Sequence, residues 1–165
     1  MSKFYAGIGS RQTPPEVLDL MARVAVKLEA DGWTLRSGGA GGADKAFASK
    51  VSDVQVFVPW HGFNGVMDGI LGVDANTLRT AQDFHPAWDR CSQGARKLHA
   101  RNVRQVYGVN PDGSDDSRFV MCWTPDAARV GGTATAMRLA AAKDIPVYNL
   151  ADAETRTRIE AYLAE

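Results

Sequence analysis

Three glycine-rich loops, each placed between a short apolar run and a helical pattern, constrain the fold of this chain more than any other feature. They are Gly7-Ile8-Gly9-Ser10-Arg11, Ser37-Gly38-Gly39-Ala40-Gly41-Gly42-Ala43-Asp44, and Val130-Gly131-Gly132-Thr133. The runs before them read as strands at Lys3–Ile8, Trp33–Arg36 and Phe119–Trp123, with two more at Val54–Val58 and Ile145–Leu150. Between strands, apolar residues recur at helical spacing, as in Val17, Leu20, Met21, Val24 and Leu28. That helix is expected to open at Pro14-Pro15 with Thr13 as its N-cap, and Asp31-Gly32 ends it. A second helical stretch, Asn76–Tyr107, breaks at Pro86, and Pro59–Asp74 reads as loop. Strands alternating with helices call for an α/β fold. The expectation is one Rossmann-like domain over residues 1–165, with a mostly parallel sheet of about five or more strands and helices on both faces.

In an open parallel sheet, loops of this kind gather at the carboxyl edge, where ligands bind at the topological switch point. Helix N-termini there present free backbone N–H groups and a positive dipole end, and glycine lets an anion approach the backbone. Ser10, Ser37 and Thr133 add hydroxyls, and Arg11 adds a cation suited to phosphate. No lysine follows a glycine in the manner of a Walker loop, and Gln12 stands where the dinucleotide motif has its third glycine. Ordinary NAD binding is therefore not expected, and no cofactor is.

Composition narrows the classes further. Nineteen basic residues balance nineteen acidic ones, so no large electrostatic footprint for nucleic acid is indicated. Cys91 and Cys122 form no CxxC pair, and Cys122 sits in an apolar run as a buried small hydrophobe. His61, His85 and His99 lack zinc-ligand spacing, so no metal site is expected. The chain opens without a signal-like segment and has no run near the ~18 apolar residues of a membrane span, which points to the cytoplasm and no membrane partner. Lys97, Arg101 and Arg104 share one helical face, a basic stripe directed at phosphate or a solvated surface. Asn110–Ser117 reads as a solvated acidic turn. Trp60, Trp88 and above all Trp123 are placed either to stack on a base or to fill a core.

Taken together, Gly9-Ser10-Arg11, Ser37 to Asp44, Arg101-Asn102 and Gly131-Gly132-Thr133 resemble the SLOG superfamily, which joins LOG-type nucleoside-monophosphate phosphoribohydrolases with the Smf/DprA DNA-processing proteins. The resemblance covers Phe4 to Leu150. It is most detailed on the DprA side, in compact stand-alone members of the kind found in phage and bacteria. It implies binding of a nucleotide or another phosphate-bearing small molecule by Gly9, Ser10, Arg11, Ser37, Gly38, Gly39, Gly41, Asp44, Arg101, Asn102, Gly131, Gly132 and Thr133. It also implies a homodimer or larger homo-oligomer, with the helix from Pro86 to Tyr107 as the contact. Two other readings follow from the same resemblance. One is an N-glycosidase acting on nucleoside 5′-monophosphates, with Arg101 and Asp44 as its catalytic groups. The other is a DprA-like module for single-stranded DNA. The LOG pattern has a glutamate where this chain has Ala136, so hydrolysis needs a carboxylate from elsewhere, Asp44 or Asp126.

Overall fold

A computed structural model describes residues 3–165. Six strands form one sheet: β1 (Phe4–Gly7), β2 (Thr34–Ser37), β3 (Val54–Val58), β4 (Ile70–Leu71), β5 (Val120–Cys122) and β6 (Val147–Asn149). Their order is β4-β3-β2-β1-β5-β6, and every neighbouring pair is parallel. Helices α1 (Pro15–Ala30), α2 (Ala43–Ala48), α3 (Ala75–Phe84), α4 (Gln93–Tyr107), α5 (Thr133–Ala142) and α6 (Ala153–Leu163) connect and cover them. The Rossmann-like α/β arrangement expected from the sequence is present.

The sheet divides the core in two by the period-2 rule of strands. Tyr5 and Met121 point to one side, where they pack with Val17, Met21, Val24 and Leu28 of α1, Phe47 of α2 and Ile159 of α6. Ala6, Val120 and Cys122 point to the other, against Ala81 of α3, Val103 and Val106 of α4, and Leu139 of α5. Burial pushes the Cys122 thiol up to about 12, so it behaves as an apolar side chain.

Local chemistry fixes the helix starts. Asp74 and Thr77 form a reciprocal capping box at α3. Ser92 accepts the Ala95 amide at α4, and Asp152 accepts the Thr155 amide at α6. At α1 the structure departs from expectation. Pro14 occupies the N-cap position, and the Thr13 hydroxyl instead donates to the Ser10 carbonyl at 2.6 Å. β4 was unforeseen within the loop Pro59–Asp74: it is two residues long and its side chains are exposed, so it carries no alternating pattern.

β1 lies at the switch point, with β2 on one side and β5 on the other. The loops leaving β1, β2 and β5 therefore meet above one crevice. Close approach to neighbouring loop or helix atoms demands glycine at Gly9 and Gly42 there. A Cβ on Gly9 would lie 2.7 Å from that of Ala43, and one on Gly42 (φ +69°) would lie 2.8 Å from Arg11 Cα.

The acidic turn Asn110–Ser117 proves to be a structural lock. Arg36, in the middle of β2, is 1% exposed. Its guanidinium donates to the Asp115 carbonyl at 2.6 Å, Ser117 Oγ at 3.1 Å and Gln55 Oε1 at 3.1 Å, and its Cζ lies 3.9 Å from the centre of the Phe4 ring. Desolvation lowers its pKa to about 10, against the pull of Asp115 and Asp116, so it stays charged at neutral pH. Removing one partner of a buried charged network typically costs about 3–5 kcal/mol. Arg36→Ala is expected to lose that much in urea unfolding, while Arg23→Ala, whose pairing with Asp19 is solvent-exposed, is expected to lose less than about 1 kcal/mol.

Candidate functional site

The three glycine loops enclose a pocket of about 660 Å³ at the carboxyl edge of the sheet. Such a volume suits a mononucleotide-sized ligand. The β1–α1 loop contributes Ile8, Gly9, Ser10, Arg11 and Gln12 to its wall, the β2–α2 loop Ala40 and Gly41, and the start of α5 Gly131, Gly132 and Thr133. Asp44, Arg101 and Asn102 line it as well. Most of the residues singled out in the sequence thus converge, although they lie up to 124 positions apart, from Gly9 to Thr133. Ser37, Gly38 and Gly39 sit behind this wall, with Ser37 Oγ accepting the Gly39 amide at 3.3 Å.

Ser10 is partly occupied by its own loop, its Oγ accepting the Gln12 amide at 2.9 Å. Arg11 is exposed at the rim. Thr133 is buried, whereas Gly131 and Gly132 are open: a Cβ on either would meet nothing within 4 Å. Gly132 holds the N-cap position of α5 with no side-chain cap, and within the first turn the Ala134 amide donates back to the Gly131 carbonyl at 3.2 Å. Asn102 Nδ2 donates to the Gly132 carbonyl at 3.1 Å and ties this loop to α4.

Asp44 and Arg101 form the floor. Both are buried, at 4% and 7% exposure, and they flank Gly38. A Cβ on Gly38 would lie 2.8 Å from Asp44 Oδ2 and 2.7 Å from Arg101 Nη1. Arg101 donates from Nη1 to the Gly38 carbonyl and from Nε to the Leu98 carbonyl at 3.3 Å. Asp44 Oδ2 accepts the Ala40 amide at 3.2 Å, and Oδ1 is buried without a protein partner. Asp44 therefore does not cap α2; it closes the loop before it. Desolvation raises its carboxyl to about 6, and Arg101 and the loop amides oppose that rise.

Several candidates fall elsewhere. The basic stripe divides. Arg101 turns inward, Arg104 pairs with Asp74 at 2.7 Å, and Lys97 lines a separate groove between α3 and α4. Trp123 packs against the core beneath α1, and Trp88 is buried. Phe63 and His99 are the aromatic rings that line the pocket, and nothing in their spacing marked them. Ala136 is fully buried among Ala6, Ile8 and Leu139, and Asp126 is exposed on a 3₁₀ turn outside the pocket wall. Among the described residues lining the pocket, Asp44 is the one carboxylate.

No protein-family model matches the chain, and a search of curated proteins finds no match. Among solved structures it is similar to DNA processing protein A from Helicobacter pylori, described there for a unique mode of binding single-stranded DNA. The TM-score is 0.55 at 18% identity, and the match covers 89% of this chain but 64% of that one. Likeness at this level shows the shared fold. No helix among the described residues is long and apolar enough to cross a membrane.

The raised carboxyl of Asp44 has a signed consequence. The folded state binds this proton more tightly than the unfolded chain, so the contribution to stability is favourable below about pH 4 and is lost as pH rises through about 6. Raising the carboxyl from the ordinary aspartate range to about 6 corresponds to about 3 kcal/mol. Relative to Asp44→Asn, the unaltered chain is expected to gain up to that much stability between pH 7 and pH 4, measured by urea unfolding at each pH. Parallel stability curves would remove the buried-carboxyl assignment.

Proposed function

We propose that this protein binds a nucleotide, or a nucleotide-derived ligand, in the pocket at the carboxyl edge of its sheet. The observation that carries the reading is the uncapped start of α5 opening into a pocket whose floor holds a buried carboxylate and a buried guanidinium. A phosphate at Gly131–Thr133 meets amide donors and the positive end of the helix dipole, with Arg11 at the rim as counter-charge. A sugar hydroxyl or a base amino group then supplies the donor that Asp44 Oδ1 lacks. Arg101 acts in this reading mainly as a positioning residue, because its Nη1 and Nε are engaged by backbone carbonyls.

The similarity to DNA processing protein A favours a second reading, in which the phosphate belongs to single-stranded DNA. Net neutrality favours a short contact with few phosphates. The two readings share one anion site and differ in ligand length.

Gly132→Asp separates ligand effects from folding effects. The position tolerates a Cβ, and an aspartate at a helix start stabilises the helix, yet its charge repels phosphate. A nucleoside monophosphate at 100 times its dissociation constant is expected to stabilise the unaltered chain by ~2.7 kcal/mol in a thermal-shift assay. Gly132→Asp should keep its melting temperature and bind about tenfold more weakly, a loss of ~1.4 kcal/mol. A short oligothymidylate measured by anisotropy tests the second reading; competition by the mononucleotide is expected if both use one site. Absence of binding for all of these ligands removes the proposal.

N-glycosidase activity is expected to be weak or absent. Cleavage of that bond builds positive charge on the sugar, and loss of one well-placed stabilising group costs ~10²–10³ in rate. Ala136 is packed in the core, and Asp44 is held beneath the β2–α2 loop beside Arg101. Incubation with ribo- and deoxyribonucleoside monophosphates, followed by chromatography of free bases, is the check. Release abolished by Asp44→Asn would instead make Asp44 the catalytic carboxylate.

A further inference from the structure

Pro86 breaks the stretch between α3 and α4, and the chain turns through a 3₁₀ turn at Trp88–Arg90. That joint gathers three metal-ligating side chains that are six and eight residues apart in sequence. His85 holds the C-cap of α3, Cys91 follows the 3₁₀ turn, and His99 lies on the second turn of α4. Their ligand atoms all lie within 4.8 Å of one another, and each side chain is half-buried. Cys91 Sγ is 3.7 Å from His85 Nε2, and the two imidazole centroids are 4.5 Å apart.

We propose that His85, Cys91 and His99 form a binding site for a borderline-soft divalent cation of the zinc class. One thiolate and two imidazoles are a donor set for Zn²⁺ or Co²⁺, and they offer no oxygen for Mg²⁺ or Ca²⁺. Tetrahedral ligation at ordinary Zn–S and Zn–N lengths separates donor atoms by about 3.3–3.6 Å; Cys91 Sγ and His85 Nε2 are already near that, and the cluster as a whole closes in from separations of up to 4.8 Å. His99 already has the outer support that such ligands use. Its Nδ1 lies 2.9 Å from Oγ1 of Thr135, a fully buried residue on α5, and Nε2 is left as the free ring nitrogen.

Loading has costs that shape the site, among them the hydrogen bond of the Cys91 thiol to the Ala87 carbonyl at 3.6 Å, which a thiolate cannot make. His85 Nδ1 accepts the Ala87 amide at 3.0 Å, whereas a histidine ligating through Nε2 carries its proton on Nδ1. Either the Ala87 amide turns away or His85 ligates through Nδ1, and both routes break this hydrogen bond. Arg101 and Arg138 lie near enough to act on His99 and oppose a dication. Cys91 offsets part of that charge by releasing its thiol proton to solvent and binding as thiolate. The proposal does not rest on nucleotide binding: the cluster shares His99 with the ligand pocket, but His85 and Cys91 lie outside it.

The test uses the full chain, freed of metal by dialysis against chelator and titrated with Co²⁺. One Co²⁺ per chain is expected, with the intense visible bands of a tetrahedral site and a sulfur-to-cobalt charge-transfer band, all displaced by Zn²⁺. Cys91→Ser and His99→Ala should abolish the bands, and His61→Ala, an exposed histidine outside the cluster, should leave them. A second measurement needs no variant. Zn²⁺ should slow alkylation of Cys91 several-fold, with EDTA restoring the rate, while the buried Cys122 serves as the unreactive internal reference. An octahedral cobalt spectrum without charge transfer, bands that survive Cys91→Ser, or an alkylation rate indifferent to zinc would each overturn the proposal.

Discussion

The contact on which the site depends is the packing of Asp44 and Arg101 against Gly38. Two charged side chains are taken out of water there, and neither is tolerable alone. Arg101 satisfies itself partly on the Gly38 carbonyl, which fixes the β2–α2 loop over α4. Asp44 satisfies one oxygen on the Ala40 amide, which curls the same loop back toward its own helix. A side chain at residue 38 would strike both groups, so the glycine is a condition of the arrangement and not an ornament of the loop. With that loop pinned, the β1–α1 loop has one place to lie, because Gly42 and Arg11 touch backbone to backbone. Asn102, the next residue along α4, then ties down the loop before α5 through the Gly132 carbonyl. One turn of α4 thus organises two of the three loops of the pocket.

Charge is distributed in a way that overall neutrality conceals. Arg36 serves the fold alone: it is buried in β2 and committed to Asp115, Ser117 and Gln55. Arg104 is committed to Asp74, and Lys143 to Asp116. Among the described residues that line the pocket, Arg11 is a cation exposed at the rim, where it faces an incoming anion. The pocket's attraction for anions therefore rests on backbone dipoles at least as much as on side-chain charge, which suits a small ligand better than a long polyanion.

The joint between α3 and α4 shows a different economy. The residue before a proline is pushed toward extended backbone, and His85 takes that conformation, with ψ of 123°. The chain must then reverse before the N-cap of α4 at Ser92, and the reversal folds Cys91 back beside His85 while α4 brings His99 alongside. A helix running straight through would have separated all three. The ligand pocket and the histidine–cysteine cluster consequently share α4, and His99 belongs to both walls.

The strands, the helices and the position of the glycine loops were legible in the sequence because each rests on a local rule. Period-2 and period-3.6 apolar patterns mark strands and helices, and clustered glycines mark βα turns, whereas the N-cap read at Thr13 falls on Pro14. Asp44 and the start of α5 were legible as candidates for the same reason, since they stand beside those turns, whereas Arg101 was marked by its basic helical face and by the family resemblance. The partners of each side chain were not legible. Arg36 looks like any polar residue in a strand until the turn at Asp115 closes over it, 79 residues away. Lys97, Arg101 and Arg104 share a helical face, but α3 and the β2–α2 loop approach that face from different sides and give them different neighbours. β4 has too few residues to show a period. His85, Cys91 and His99 follow no ligand spacing because a proline break and a 3₁₀ turn, not one helix, bring them together. Local propensity decides which elements form; only the packing of those elements decides which charges are buried, which are spent on the fold and which are left facing a ligand.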